Sequence, residues 1–159
     1  MEKEVLQGYA TRVTQANRSE LVVIVIEAAL ASIEEGRTCL DCGNIDDARK
    51  EIERAKGLIE ELMRSLDMKY TISHYLRQLY IYAYRELCQG IAKRDSSLFK
   101  HSFDVLNGLL PSFEEVAKQD NSAPVMANTE QIYAGLTYGR GSLNETTAMT
   151  GNLNRGFEA

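Results

Sequence analysis

The sequence predicts an all-α protein: an antiparallel up-down four-helix bundle with a flexible C-terminal extension. Three observations carry that expectation. Apolar residues recur at alternating steps of three and four through successive segments, the period of a helix buried along one face. Capping residues stand at the segment boundaries, and the links between them are short. Pro111 is the only proline before position 118 and five of the eleven glycines fall after 134, so helix-breaking residues are sparser before that point than after it. A chain of 159 residues with 44% hydrophobic content suffices for one packed domain.

The first predicted helix covers about 18–40. Asn17 stands as its cap, and Glu20, three residues on, is placed to reach back to the cap nitrogen. The run from Leu21 to Ile26 has the β-branching of a buried strand, but the cap before it and the alanine-rich Ala28–Ala31 after it favour helix. Cys42-Gly43-Asn44 supplies the stop. The second helix, 45–67, carries the clearest seam: Ile45, Ala48, Ile52, Ala55, Ile59, Leu62 and Leu66. Its outer face is charged, with Asp46/Lys50 and Glu60/Arg64 four apart.

For the third helix, 71–93, the seam reads Ile72, Leu76, Leu79, Ala83, Leu87 and Ile91. Asp95 and Ser96 cap the fourth, 96–118, where Phe99, Ser102, Leu106, Leu109, Phe113 and Val116 repeat the step. Pro111 is expected to kink or restart that helix, because it lacks the backbone donor and crowds the preceding turn. Short links make neighbouring helices antiparallel. Residues 1–16 read as an N-terminal cap segment, and 119–159 as a mostly disordered tail poor in apolar residues. Within the tail, the patch 132–138 has enough apolar character to dock, and the expectation is that it competes for the partner surface.

Net charge is -5, with basic residues scattered rather than gathered on one face, which argues against nucleic-acid binding. The longest apolar stretch, Leu21 to Ile33, is interrupted by Glu27 and is too short for a membrane span. The segment before it lacks the basic bias of a secretory leader, and three cysteines make no disulfide framework; a cytoplasmic location is the expectation.

Cys39-Leu40-Asp41-Cys42 has the spacing of a redox pair or half a zinc site. It has neither a βαβ setting nor a second paired motif, so two small residues at a helix end is the simpler reading. A di-iron site in a bundle needs Glu-x-x-His, and Thr71 and Leu98 stand three residues before His74 and His101. His74 followed by Arg77 has part of a histidine phosphotransfer pattern but lacks the small residue beside the ring. No nucleophile elbow or phosphate loop is present, so an enzyme is not expected, nor any cofactor or metal.

The informative feature is surplus apolar surface. Leu21 to Ile33 contains one charge, more apolar circumference than a bundle helix can bury, so some of Val22, Val23, Val25 and Ile26 need a partner or a covering segment. Tyr75, Tyr80, Tyr82 and Tyr84 add more aromatic edge than one seam absorbs. An amphipathic helix suits such a surface.

Three blocks resemble the FliS family of flagellar export chaperones across about residues 9–117. Tyr9, Val13, Ala16 and Glu20-Leu21 match its opening block, although Gln15 and Arg18 stand where Thr and Pro are usual. Arg54-Ala55-Lys56-Gly57-Leu58-Ile59-Glu60-Glu61-Leu62 with Ser65-Leu66-Asp67 is similar to its middle block. Leu76-Arg77-Gln78-Leu79-Tyr80-Ile81-Tyr82 is similar to its third, while Ile26 and Ala28 replace its usual Tyr and Gly and its glycine-rich link is missing. The resemblance implies a cytoplasmic chaperone that holds the C-terminal segment of flagellin in an apolar groove, prevents premature polymerisation and delivers it to the flagellar export gate. It also implies that the segment from Tyr9 to Val13 lies over the groove when no client is bound. With helix-face logic, the partner-binding residues expected are Tyr9, Val13, Leu21, Val22, Val25, Ile26, Ala55, Ile59, Leu62 and Tyr80. An adaptor for another amphipathic helix and a phosphotransfer module remain as alternatives.

Overall fold

A computed structural model describes residues 3–126, and over that span the protein is all-helical. The patch 132–138 and most of the predicted tail lie outside the described residues. Five helices follow one another: α1 (Lys3–Gln15), α2 (Arg18–Asp41), α3 (Ile45–Ser65), α4 (Thr71–Lys93) and α5 (Ser96–Gln119). The helix α1 was not anticipated in the N-terminal segment, although Leu6, Tyr9, Val13 and Ala16 keep the three-four step that makes one apolar side.

Each junction is made by the residues that the sequence marks. Asn17 accepts from the Glu20 backbone at 2.9 Å while its own N–H donates to the Glu20 carboxylate at 2.9 Å, a complete capping box that starts α2. At the other end Gly43 takes φ +80°, and the Gly43 and Asn44 N–H groups donate to Leu40 and Cys39 carbonyls at 2.9 Å. That left-handed residue closes α2 and frees Asn44 to cap α3 through the Asp47 N–H. Arg94, at φ 54°, closes α4, and the Asp95 carboxylate then caps α5 by accepting from the Ser97 N–H at 3.0 Å. α5 runs unbroken through Pro111, which sits exposed, as does Asn107 whose carbonyl lost its donor; water can take the donor's place there.

Within the described residues α2 packs on α3 and α5, and α4 packs on the same two. The α2 and α4 backbones stay apart across the interior, where their inward side chains join one cluster, and the α1 backbone comes close to that of α2 alone. The interior is built from Ile26, Ala29 and Ile33 of α2, Ile52, Ala55 and Ile59 of α3, Tyr80, Ala83 and Leu87 of α4, and Phe99 and Leu106 of α5. The α3 seam is buried from Ala48 to Leu62 at every three-four step. The α4 seam keeps Ala83 and Leu87 from its sequence reading, with Leu76 and Ile91 packed against the interior, but Ser73 and Tyr80 replace Ile72 and Leu79. Ser73, Tyr80, Ala83, Leu87 and Gly90 face inward, leaving Ile72 62% and Leu79 39% exposed.

Two glycines set the helix spacing. A Cβ on Gly36 would fall 2.7 Å from the tip of Ile52, so α2 and α3 approach closely there. A Cβ on Gly90 would fall 2.3 Å from the Phe99 ring, which is seated on the bare backbone of α4. Two interior hydroxyls, of Ser32 and Ser102, are fully buried without a hydrogen-bond partner. Leaving a hydroxyl unpaired costs about 1–3 kcal/mol, whereas a methyl group there costs nothing in hydration. Ser32→Ala and Ser102→Ala are therefore each expected to raise the thermal midpoint; a fall in either would mean the hydroxyl has found a partner.

Candidate functional site: a covered face of α2 and an open face of α4

α1 lies along the N-terminal half of α2. The Arg12 guanidinium pairs with Glu27, and Arg12 also stands 6.0 Å from the Tyr9 ring centre. Burial, and then the Glu27 carboxylate, push the Tyr9 phenol above its ordinary pKa, while the bond to Glu27 holds Arg12 firmly charged. Val23 and Ile24 are buried, and Leu21, Val22 and Val25 are half-buried. α1 thus supplies a covering segment for part of the surplus apolar surface of α2. The cover is incomplete: a cleft of about 620 Å³ remains, lined by Arg12, Ala16, Val23, Glu27, Glu114 and Lys118 of α1, α2, α5 and the first link.

The hinge between α1 and α2 is clasped by the chain that leaves α5. The Asn17 side chain donates to the Asp120 carbonyl at 2.9 Å, Ser19 Oγ donates to the Asp120 carboxylate at 2.5 Å, and the Val125 N–H donates to the Ala16 carbonyl at 3.0 Å. Asp120 also accepts from the Ser122 N–H at 3.0 Å. These donors, Ser19 first and Ser122 next, hold the Asp120 carboxyl down at about 2. Its contribution is fully present above the ordinary carboxylate range and lost as pH falls through about 2. Ser19→Ala should move the Asp120 midpoint upward in a carboxyl NMR titration; an unmoved midpoint would show that Ser19 is not its main donor.

The ten residues expected to bind a partner separate into two groups. Tyr9 and Val13 on α1 and Leu21 on α2 are half-buried, as are Val22 and Val25 of α2, which pack against the interior. Ile26, Ala55, Ile59, Leu62 and Tyr80 are at most 2% exposed and belong to the interior. A three-four step marks a bundle seam as well as a partner stripe, and here these five positions are seam. Burial raises the Tyr80 phenol to about 12.

The other motifs have plain structural roles. Cys42 is the C-cap residue of α2, donating to Thr38 and Leu40 carbonyls. Burial and the carboxylates of Glu35, Asp47 and Glu51 push the Cys39 thiol up, away from the reactive thiolate. His74 is exposed in the first turn of α4. Among the described residues no cluster of three potential metal ligands occurs. No described helix is long and apolar enough to cross a membrane.

A second face was not singled out from the sequence. Ile72, Tyr75, Leu79 and Tyr82 are all exposed, Tyr75 by 61%, and they line one side of α4 at steps of three, four and three. Met68 and Tyr70 extend the apolar surface before the helix begins. The tyrosine surplus on this helix was the signal; the one-residue offset at the start of the seam hid which members stay outside.

The described residues thus form a helical unit with one covered face on α2 and one open aromatic face on α4. The family described as "Flagellar protein FliS" matches over residues 1–120. The chain belongs to that family, one of flagellar chaperones and not of known enzymes. No curated protein matches it.

Proposed function

We propose that the protein is a cytoplasmic chaperone that holds the C-terminal segment of flagellin, keeps it from polymerising before export, and presents it to the flagellar type III export gate. In this reading α2 to α5 form an antiparallel up-down four-helix bundle whose α2 face receives the client. The observation that carries the proposal is α1 lying over an apolar stretch of α2 without filling the space beneath it. Val23 and Ile24 line that space on α2, Leu21, Val22 and Val25 are half-buried on other sides of the helix, and Tyr9 and Val13 are the cover's own apolar residues. Family membership supports the choice of client. A disordered amphipathic end suits such a face, because helix formation and burial of its apolar side occur together.

Calorimetric titration of the full-length protein with roughly the last 40 residues of flagellin from its own organism tests the reading, that length being about a helical hairpin. One-to-one binding at micromolar affinity or tighter, about -8 kcal/mol, with a negative heat-capacity change is expected. Removal of residues 1–15 should tighten it if α1 is the cover. Absence of binding to either form would overturn the flagellin assignment and leave an adaptor for another helix.

A further inference from the structure

We infer that the open face of α4 is a second docking surface, built for an amphipathic helix whose apolar residues are flanked by carboxylates. Four apolar side chains, Ile72, Tyr75, Leu79 and Tyr82, run for three turns along one side of the helix, and none is covered within the described residues. Their spacing is that of anchors for a partner helix laid alongside. The pairing of Glu86 with His101 at 2.8 Å and the seat of Phe99 on Gly90 set the register of α4 against α5. That register brings Ile72 level with Val116, itself 55% exposed, and the half-buried Val105 and Leu109 level with Tyr82 and Leu79. The stripe is thus one wall of a shallow apolar trough whose other wall is α5.

Charge decides what fills it. In a chain of net charge -5, α4 carries Arg77, Arg85 and Lys93 against one carboxylate, Glu86, which His101 already occupies. The row beside the stripe, His74, Gln78, Arg85 and Gln89, contains no acid. On α3, Arg54, Lys56 and Arg64 each pair with a glutamate on their own helix while Arg49 and Lys50 do not; on α4 none of Arg77, Arg85 and Lys93 has an ion pair among the described residues. Tyrosine, methionine and an unpaired arginine around an apolar stripe form the composition of an interface rather than of a solvated surface. Lysine-flanked helices are repelled there and acid-flanked ones attracted. This surface lies on a different helix from the proposed client site, and the α2 and α4 backbones do not approach one another closely.

The test uses the full chain and two synthetic amphipathic helices of about 18 residues, long enough to span the stripe at 1.5 Å per residue. They share leucines at three-four spacing and differ in having glutamate or lysine beside them. Fluorescence anisotropy at low salt should give binding of the glutamate peptide about tenfold tighter or more. Arg85→Glu should erase that preference, while Arg77→Glu, two positions from Tyr75 and on another side of the helix, should change it less. Tyr75→Ser and Leu79→Ser should each weaken the peptide about tenfold or more without lowering the thermal midpoint. Equal affinity for the two peptides, or insensitivity to the stripe substitutions, overturns the proposal. So does a concentration-dependent dimer that Tyr75→Ser abolishes, since the occupant would then be a second copy. Displacement of the peptide by saturating flagellin segment also overturns it, by assigning the stripe to the client. Failure of flagellin to bind at all would overturn the chaperone reading and leave this one standing.

Discussion

Gly90→Ala is expected to destabilise the protein by about 1–3 kcal/mol, the usual range for forcing a methyl into a packed interior. The new Cβ would lie 2.3 and 2.6 Å from two atoms of the Phe99 ring and 3.2 Å from the Asp95 carbonyl. Phe99 is completely buried, so its ring has no solvent side to move toward. The better helix propensity of alanine offsets about 1 kcal/mol of the clash, and the expected value is what remains. Phe99→Leu in the same chain should recover part of the loss, because the smaller side chain vacates the contested space. Urea unfolding of the two single variants and the double variant gives the coupling directly. An unchanged midpoint for Gly90→Ala would show that Phe99 is not seated against α4.

Ile59→Ala is expected to cost about 2–5 kcal/mol, as for other fully buried aliphatic truncations. Leu79→Ala, on the exposed side of α4, is expected to fall within about 0.5 kcal/mol of the wild type. The comparison bears on function because both residues sit in blocks that mark the family, and Ile59 was expected on sequence grounds to face a partner. Its side chain is 0% exposed, surrounded by the other interior residues. Loss of client affinity at unchanged stability in Ile59→Ala would contradict that placement.

How much was legible depended on whether one helix or two decided the answer. The Asn17–Glu20 box, the Gly43 stop and the α3 seam from Ala48 to Leu62 were readable because each involves residues within a few positions of one another. The α4 seam was readable at Ala83 and Leu87 but not toward the start of the helix. Ile72 and Leu79 are as apolar as the inward residues one position later, Ser73 and Tyr80, and nothing local separates the two registers. What selects one is Phe99 seated on Gly90, a contact with the next helix. The same shift exposes the stripe, so the more open of the two candidate faces was the harder to find. α1 left a readable trace in Leu6, Tyr9, Val13 and Ala16, but only four apolar positions over barely three turns. A helix that short is held by packing on a neighbour and by its own propensity only weakly. The clasp at Asp120 lay beyond local reading altogether, since its partners are about a hundred positions away.

That separation governs when the clasp forms. Asn17 and Asp120 are 103 residues apart in the chain. Closing a loop of that length unaided costs about 4 kcal/mol of entropy, more than a few hydrogen bonds return. Once α5 has packed along α2 the ends are already together and the remaining cost is small. The clasp is thus expected to close after α5 has packed along α2, and its Val125 bond waits on a ribosome until Val125 has left the exit tunnel. Amide exchange at Val125, whose N–H donates to Ala16, should accordingly be faster than at any interior position of α3. A growing chain would therefore possess its packed interior before it possesses its clasp.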